Sequence, residues 1–337
     1  MLIDNFDYAL PADAIAQSAI EPRHDARVLI ASDLSELVFR EIASLFEPGD
    51  LLVVNRTRVR AARLIGHRVP SGGAVELLVT KRIDPHRWQA LVRPAKRLRS
   101  GSIIRCEGIQ AALITDPVGG VATVTLTADG DIEDAIEQTG EVPLPPYFHG
   151  SLSSPERYQT LFATVLGSSA APTAALHFTE QVVSSLRAND VEISEVELEV
   201  GLDTFRPMED GPVEDHRIHS ERVVVDAEAV SAIERARAAG GKIIAVGTTV
   251  VRALESAAQG NGHIGKYSGE TDLFITPGYR FTVVDALLTN FHAPRTTLIV
   301  MIAAIVGDGW REVYRHAVES GFRFLSFGDA MYIEVPR

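Results

Sequence analysis

Cysteine is almost missing. Among 337 residues only Cys106 carries a thiol, which excludes an internal disulfide framework and a cysteine-rich zinc site and fits a reducing compartment. Long apolar runs are missing too: the longest, Leu298 to Val306, falls well short of the roughly 20 residues that span a bilayer. The start, M-L-I-D-N-F-D-Y, has no basic stretch followed by an apolar one, so no export signal is read and a cytoplasmic location away from membranes is expected. The turn G-T-T-V-V-R (247–252) lacks the second and third glycines of a dinucleotide fingerprint, no G-K-[ST] follows it as in a P-loop, and H-E-x-x-H does not occur. Positive charge is in deficit, with 32 Lys and Arg against 45 Asp and Glu, a formal charge of -13 that argues at first against a nucleic-acid partner.

That deficit is unevenly spread. Between Arg56 and Arg105 thirteen basic residues face only Glu76 and Asp84, a local +11 that leaves -24 for the remainder. Such asymmetry suits an anionic partner docking on one segment, with a merely solvated basic face as the alternative. The same segment holds short alternating or β-branched runs, A-V-E-L-L-V-T, W-Q-A-L-V, S-I-I-R, A-A-L-I and V-A-T-V-T-L-T, separated by glycine-rich turns. This texture predicts a small β-barrel or sandwich over 59–149.

On either side, buried strands at 51–55, 191–200 and 242–246 alternate with helical stretches. Thr179 and Asp226 stand as helix N-caps, and Gly240 with Gly241 as a helix stop. Alternation of this kind predicts a layered α/β domain with a largely parallel sheet, made of residues 1–58 and 150–337, into which the barrel is inserted. A proline-rich connector, G-E-V-P-L-P-P-Y (140–147), returns the chain between them.

Three islands of small residues stand out in the α/β portion. The first is A-A-P-T-A-A-L-H-F-T (170–179), with Thr173, His177 and Thr179 as its polar groups. The second, A-V-G-T-T (245–249), turns from a strand through Gly247, Thr248 and Thr249 into a helix bearing Arg252, the setting in which open α/β sheets bind ligands. The third, T-N-F-H-A-P (289–294), carries Asn290 and His292. Each alone reads equally as a tight turn or a core histidine; three of one character point to one site. A further stretch, F-R-P-M-E-D-G-P-V-E-D-H-R-I-H-S-E, holds Arg206, His216 and His219. Its H-x-x-H spacing has no third ligand in support, so no metal is expected.

These residues, with F-D-Y-A-L-P, G-D-L-L-V-V-N-R-T-R-V, W-Q-A-L-V-R-P-A-K-R-L, R-Y-Q-T-L-F-A, E-D-H-R-I-H-S-E, L-F-I-T-P-G-Y-R-F and F-R-F-L-S-F-G-D-A-M, resemble the S-adenosylmethionine:tRNA ribosyltransferase-isomerases of queuosine biosynthesis, the QueA family, over nearly the whole chain. The resemblance implies transfer and isomerisation of the ribosyl portion of S-adenosylmethionine onto preQ1 at the tRNA wobble position. Epoxyqueuosine-tRNA forms, and adenine and methionine are released. S-adenosylmethionine is then a co-substrate, with neither metal nor second cofactor, and a monomer is expected.

Carried onto this chain, the resemblance makes His177 the base, with His292 second and Thr173 beside them. It gives Gly247, Thr248, Thr249, Arg252 and Asn290 to S-adenosylmethionine, with Arg252 on the methionine carboxylate. Arg206, His216 and His219 fall on the substrate side, and Arg93, Lys96, Arg97 and Arg99 on tRNA phosphates. Two positions depart from the family pattern: Ala175 and Asp203 stand where glycine is usual. A Cβ at Ala175 would be expected to narrow the pocket. The competing readings are a paralogue that uses a small-molecule acceptor and an inactive RNA-binding relative.

Overall fold

In the computed structural model, residues 1–150, 152, 154–201, 206–260 and 262–336 are described. The chain separates into two compact units, Met1–Arg58 with Pro145–Arg337, and Val59–Leu144. The crossing from the second unit back to the first falls inside the proline-rich segment, at Leu144/Pro145.

The larger unit is built on a nine-stranded sheet. In chain order its strands are β1 (Arg27–Ile30), β2 (Glu36–Val38), β3 (Leu51–Asn55), β4 (Glu192–Leu198), β5 (Glu221–Val225), β6 (Ile243–Val246), β7 (Tyr267–Thr271), β8 (Ala286–Asn290) and β9 (Ala330–Glu334). Across the sheet they run β7-β5-β4-β3-β6-β8-β9-β1-β2. The central four, β4, β3, β6 and β8, are mutually parallel, so their carboxyl ends share one edge. Antiparallel pairs extend the sheet at both ends.

Parallel strands are covered on both faces, and their side chains sort accordingly. Leu51 and Val53 of β3 join one apolar core and Leu52 and Val54 the other. The first core is closed by α2 (Ala227–Ala238), α3 (Thr248–Ser256), α4 (Thr297–Val306) and α5 (Trp310–Glu319). The second is closed by α1 (Glu180–Ala188) and a 3-10 segment, Phe39–Leu45. The fold is therefore a layered α/β unit. The long apolar run became α4, buried nearly all round as a helix without a polar face must be. Asp226 caps α2 by accepting from the amides of Glu228 and Ala229. Thr179 stands at the start of α1 but its hydroxyl caps nothing; it pairs instead with His24 Nδ1 at 2.7 Å.

The smaller unit is a closed six-stranded barrel. Alternation fills it: in Arg87–Arg93 the residues Trp88, Ala90 and Val92 point inward, and in Val121–Ala128 so do Ala122, Val124 and Leu126. Its first strand, Arg63–Val69, has no unbroken apolar alternation because Gly66 interrupts it. A Cβ there would lie 2.7 Å from the Arg105 carbonyl oxygen on the neighbouring strand, so glycine is what lets the two strands approach.

The unit is far less basic than the Arg56 to Arg105 window. Val59–Leu144 holds eleven Arg and Lys against ten Asp and Glu, a net +1. Arg60 and Arg82 pair with Glu133, Arg63 with Glu76 and Glu141, and Arg87 with Asp84. Arg56 and Arg58 belong to the larger unit, where they pair with Glu197 and Glu156. Among the described residues Arg93, Lys96, Arg97 and Arg99 make no ion pair. They cluster on a strand end and the 3-10 turn Ala95–Arg97 after it, where Arg68 also donates to the Arg97 carbonyl.

Candidate active site

The three islands meet at the carboxyl edge of the parallel strands. Gly247 follows β6 with φ +92° and ψ 152°, a conformation open essentially to glycine alone. That turn drops the chain directly into α3, so Thr248 and Thr249 form the helix's first turn with its unsatisfied amides. Asn290 ends β8, and its Oδ1 accepts from the Thr173 hydroxyl at 2.9 Å, joining the third island to the first. A methyl on Gly247 would touch Ala174 Cβ at 3.4 Å, which marks how closely the second island abuts the first.

Between them lies a small cavity of about 50 Å³ whose walls include Thr173, Gly247, Thr248, Thr249, Asn290 and His292. Thr248, Thr249 and Leu298 also border a larger cleft of about 570 Å³, lined by Arg206, His216, His219, Glu221 and Arg252, so the two spaces adjoin. A volume of that order suits a small-molecule ligand.

His292 is set firmly. Its amide donates to the Tyr314 hydroxyl at 3.1 Å, its carbonyl accepts from the Tyr8 hydroxyl at 2.5 Å, and its Nε2 stands 3.3 Å from the Thr289 hydroxyl. Burial pushes its pKa down to about 3, so the imidazole is neutral and holds a lone pair at neutral pH. Tyr8 and Tyr314, which hold this backbone, were not singled out from the sequence. F-D-Y-A-L-P near the start was the available signal for Tyr8.

His177, the expected base, is not in this cavity. Its Nδ1 lies 3.1 Å from the Ala174 carbonyl and its Nε2 2.8 Å from the Gly328 carbonyl, and the ring stacks on Phe39 at 4.9 Å. With both ring nitrogens against backbone oxygens and the ring in a separate small space beside Arg23 and Gly328, no lone pair faces the three-island cavity. Burial lowers its pKa, opposed by the two carbonyls. The geometry suits a tie between the Thr173–His177 turn and the Gly328 loop.

Arg252 also differs from expectation. Although it borders the cleft, its guanidinium pairs with Glu221 and donates to the carbonyls of Leu273 (3.0 Å) and Thr271 (3.2 Å). Both partners' side chains are only 6% exposed, so a methionine carboxylate would have to compete with a carboxylate already in place. Glu221 also accepts from the Gly201 amide at 2.8 Å. His216 packs edge-on against Phe274 at 5.7 Å, and its pKa is lowered by burial and by His219.

Ala175 does not narrow the site. Its φ is not positive, and its fully buried methyl belongs to the core behind the turn, not to the cavity wall. Asp203 lies outside the described residues. Among the described residues no group of three or more His, Cys, Asp or Glu is arranged to hold a metal, and no helix is long and apolar enough to cross a membrane. Arg93, Lys96, Arg97 and Arg99 all lie in the barrel unit.

A crevice at the carboxyl edge of a parallel sheet, walled by a strand-to-helix turn and two further small-residue loops, defines an α/β protein whose cavity lies on the edge where open α/β sheets bind ligands. A family model described as queuosine biosynthesis protein matches residues 3–333, and the chain belongs to that family. It is 45% identical over 340 residues to the S-adenosylmethionine:tRNA ribosyltransferase-isomerase of Symbiobacterium thermophilum, covering 99% of this chain and 100% of the relative. The protein of the same name from Gloeobacter violaceus is 44% identical over 337 residues, with 98% and 96% covered. The crystal structure of S-adenosylmethionine tRNA ribosyltransferase from Thermotoga maritima is similar at a TM-score of 0.55 and 34% identity, over 97% of this chain and 99% of that one.

Proposed function

We propose that this protein is an S-adenosylmethionine:tRNA ribosyltransferase-isomerase. It transfers the ribosyl portion of S-adenosylmethionine to the aminomethyl group of preQ1 in tRNA, giving epoxyqueuosine-tRNA, adenine and methionine. The observation that carries this reading is the convergence of the three islands on one cavity beside a cleft of about 570 Å³, in a chain whose relatives match end to end.

The reaction begins with loss of a proton from the carbon beside the sulfonium, which the positive sulfur acidifies. His292 is the base in this reading because it is the imidazole that lines the cavity. Thr173 and Asn290 hold each other in place, and the first amides of α3 offer donors to the ligand. Adenine then leaves, the preQ1 amine adds, and ring closure expels methionine. Glu221 and Arg252 build the cleft wall, with Arg206, His216 and His219 turned to the incoming substrate. Arg93, Lys96, Arg97 and Arg99 meet RNA phosphates, which position the RNA without specifying it, and unstacked anticodon bases supply identity. No metal or second cofactor enters this scheme.

The test is incubation with S-adenosylmethionine and preQ1-containing tRNA, following adenine by chromatography and the nucleoside by mass spectrometry. Adenine release that depends on the preQ1-tRNA supports the reading. S-adenosylmethionine binding without adenine release on that tRNA points to a different acceptor, and no binding at all to an inactive relative.

A further inference from the structure

A second polar feature of the α/β unit is used by none of these steps. Arg23, on a 3-10 turn before β1, and Arg157, on the turn Pro155–Tyr158, both border a cavity of about 20 Å³ whose walls are otherwise mostly apolar, among them Ile20 and Leu176. Two half-buried guanidinium groups so close repel one another. The pKa of Arg23 is lowered by burial and by the charge of Arg157, with Glu21 and Glu156 only partly offsetting them.

Among the described residues only Arg23 of the two lacks an ion pair. Glu21 pairs with Arg157 and Glu156 with Arg58. Arg23 spends one N–H on the Gln159 carbonyl (2.9 Å) and one on the Glu156 carbonyl (3.1 Å), which fix its plane without neutralising it. A half-buried charge without a counter-charge is costly, and the cost is recovered when an anion arrives.

We propose that Arg23, with the Glu21-paired Arg157 beside it, forms an oxyanion site that takes one backbone phosphate of the RNA substrate. The size of the cavity selects the ligand: about 10–15 Å³ holds one water, so 20 Å³ admits a single phosphate oxygen and excludes a whole methionyl group. The N–H groups of Arg23 left over from the Gln159 and Glu156 carbonyls can donate to that oxygen, and low-dielectric walls strengthen the pairing. The site shares Ser326 with the wall of the reaction cavity, so a phosphate held here lies one side chain from the place where the modified base must enter.

This inference rests on the RNA-modifying reading, and the test separates the two. Binding of a preQ1-containing anticodon stem-loop is titrated against salt for the parent, Arg23→Gln and Arg157→Gln, with S-adenosylmethionine binding and melting temperature measured alongside. Each variant is expected to weaken RNA binding about tenfold near 0.1 M salt. The slope of log affinity on log salt should flatten by about 0.7 to 0.9, one phosphate contact. Arg23→Lys, which keeps the charge and loses the fork, should restore the slope more than the affinity. Folded variants with the parent's slope overturn the proposal, and so does weakened S-adenosylmethionine binding with RNA binding intact. If Arg23→Gln does not fold, Arg157→Gln and Arg23→Lys decide. A parent that binds the stem-loop but releases no adenine refutes the functional reading instead.

Discussion

Protonation of His292 is expected to destabilise the folded protein well before its carboxylates titrate. Burial holds its pKa at about 3 in the folded state, against an ordinary value of 6.5. The unfolded chain therefore binds more protons between those limits, and stability must rise with pH across that window. The contribution is complete above pH 6.5, declines as pH falls, and is spent by about pH 3. At about 1.4 kcal/mol per pH unit, the loss on going from pH 6.5 to pH 5 is about 2 kcal/mol from this group alone. His177 and His216, also held below their ordinary value by burial, act in the same direction, so the informative quantity is a difference between variants. Urea unfolding of the parent and of His292→Gln at pH 7 and pH 5 should show the parent losing about 2 kcal/mol more than the variant. Equal losses would refute a buried, neutral His292.

Three further outcomes follow from the geometry. Gly247→Ala forces a side chain into a region of backbone space that L residues avoid and should cost about 1–3 kcal/mol in thermal or urea unfolding, with weakened S-adenosylmethionine binding. Arg252→Met strands the buried Glu221 carboxylate and should cost about 3–5 kcal/mol, whereas adding Glu221→Leu should return much of it. Ala175→Gly should lose about 1 kcal/mol of stability by removing a core methyl, while leaving S-adenosylmethionine affinity within about twofold by calorimetry.

How far the sequence speaks depends on whether a feature is local. The strand L-L-V-V-N is apolar on both faces and was legible as β3, and the glycine between K-I-I-A-V and T-T-V-V-R announced a strand-to-helix turn. The strands A-L-L-T-N and A-M-Y-I-E were not read, because runs of this length fit a buried helix as well as a strand until pairing decides. Charge misled for a similar reason. The basic window ended at Arg105, while Glu133 and Glu141, which neutralise Arg60, Arg63 and Arg82, come later in the chain and reach them only through the closed barrel.

The histidines show the limit most clearly. His177 and His292 sit in islands of nearly the same composition, yet Gly328, far along the chain, covers the Nε2 of His177 with its carbonyl. Nothing near His177 in sequence signals that. Arg252 is similar: its sequence context suggests a ligand contact, and Glu221 on a different strand has taken its fork.

The central claim, that S-adenosylmethionine reacts in the cavity shared by Thr173, Thr248, Asn290 and His292, is tested most directly by a crystal structure with S-adenosylmethionine bound. The sulfonium and its neighbouring ribose carbon should lie in that cavity, with the carbon within reach of the His292 ring and the remainder of the ligand extending past Thr248 into the cleft of Arg206 and His216. A ligand seated against His177, or away from the carboxyl edge of β6 and β8, would contradict it.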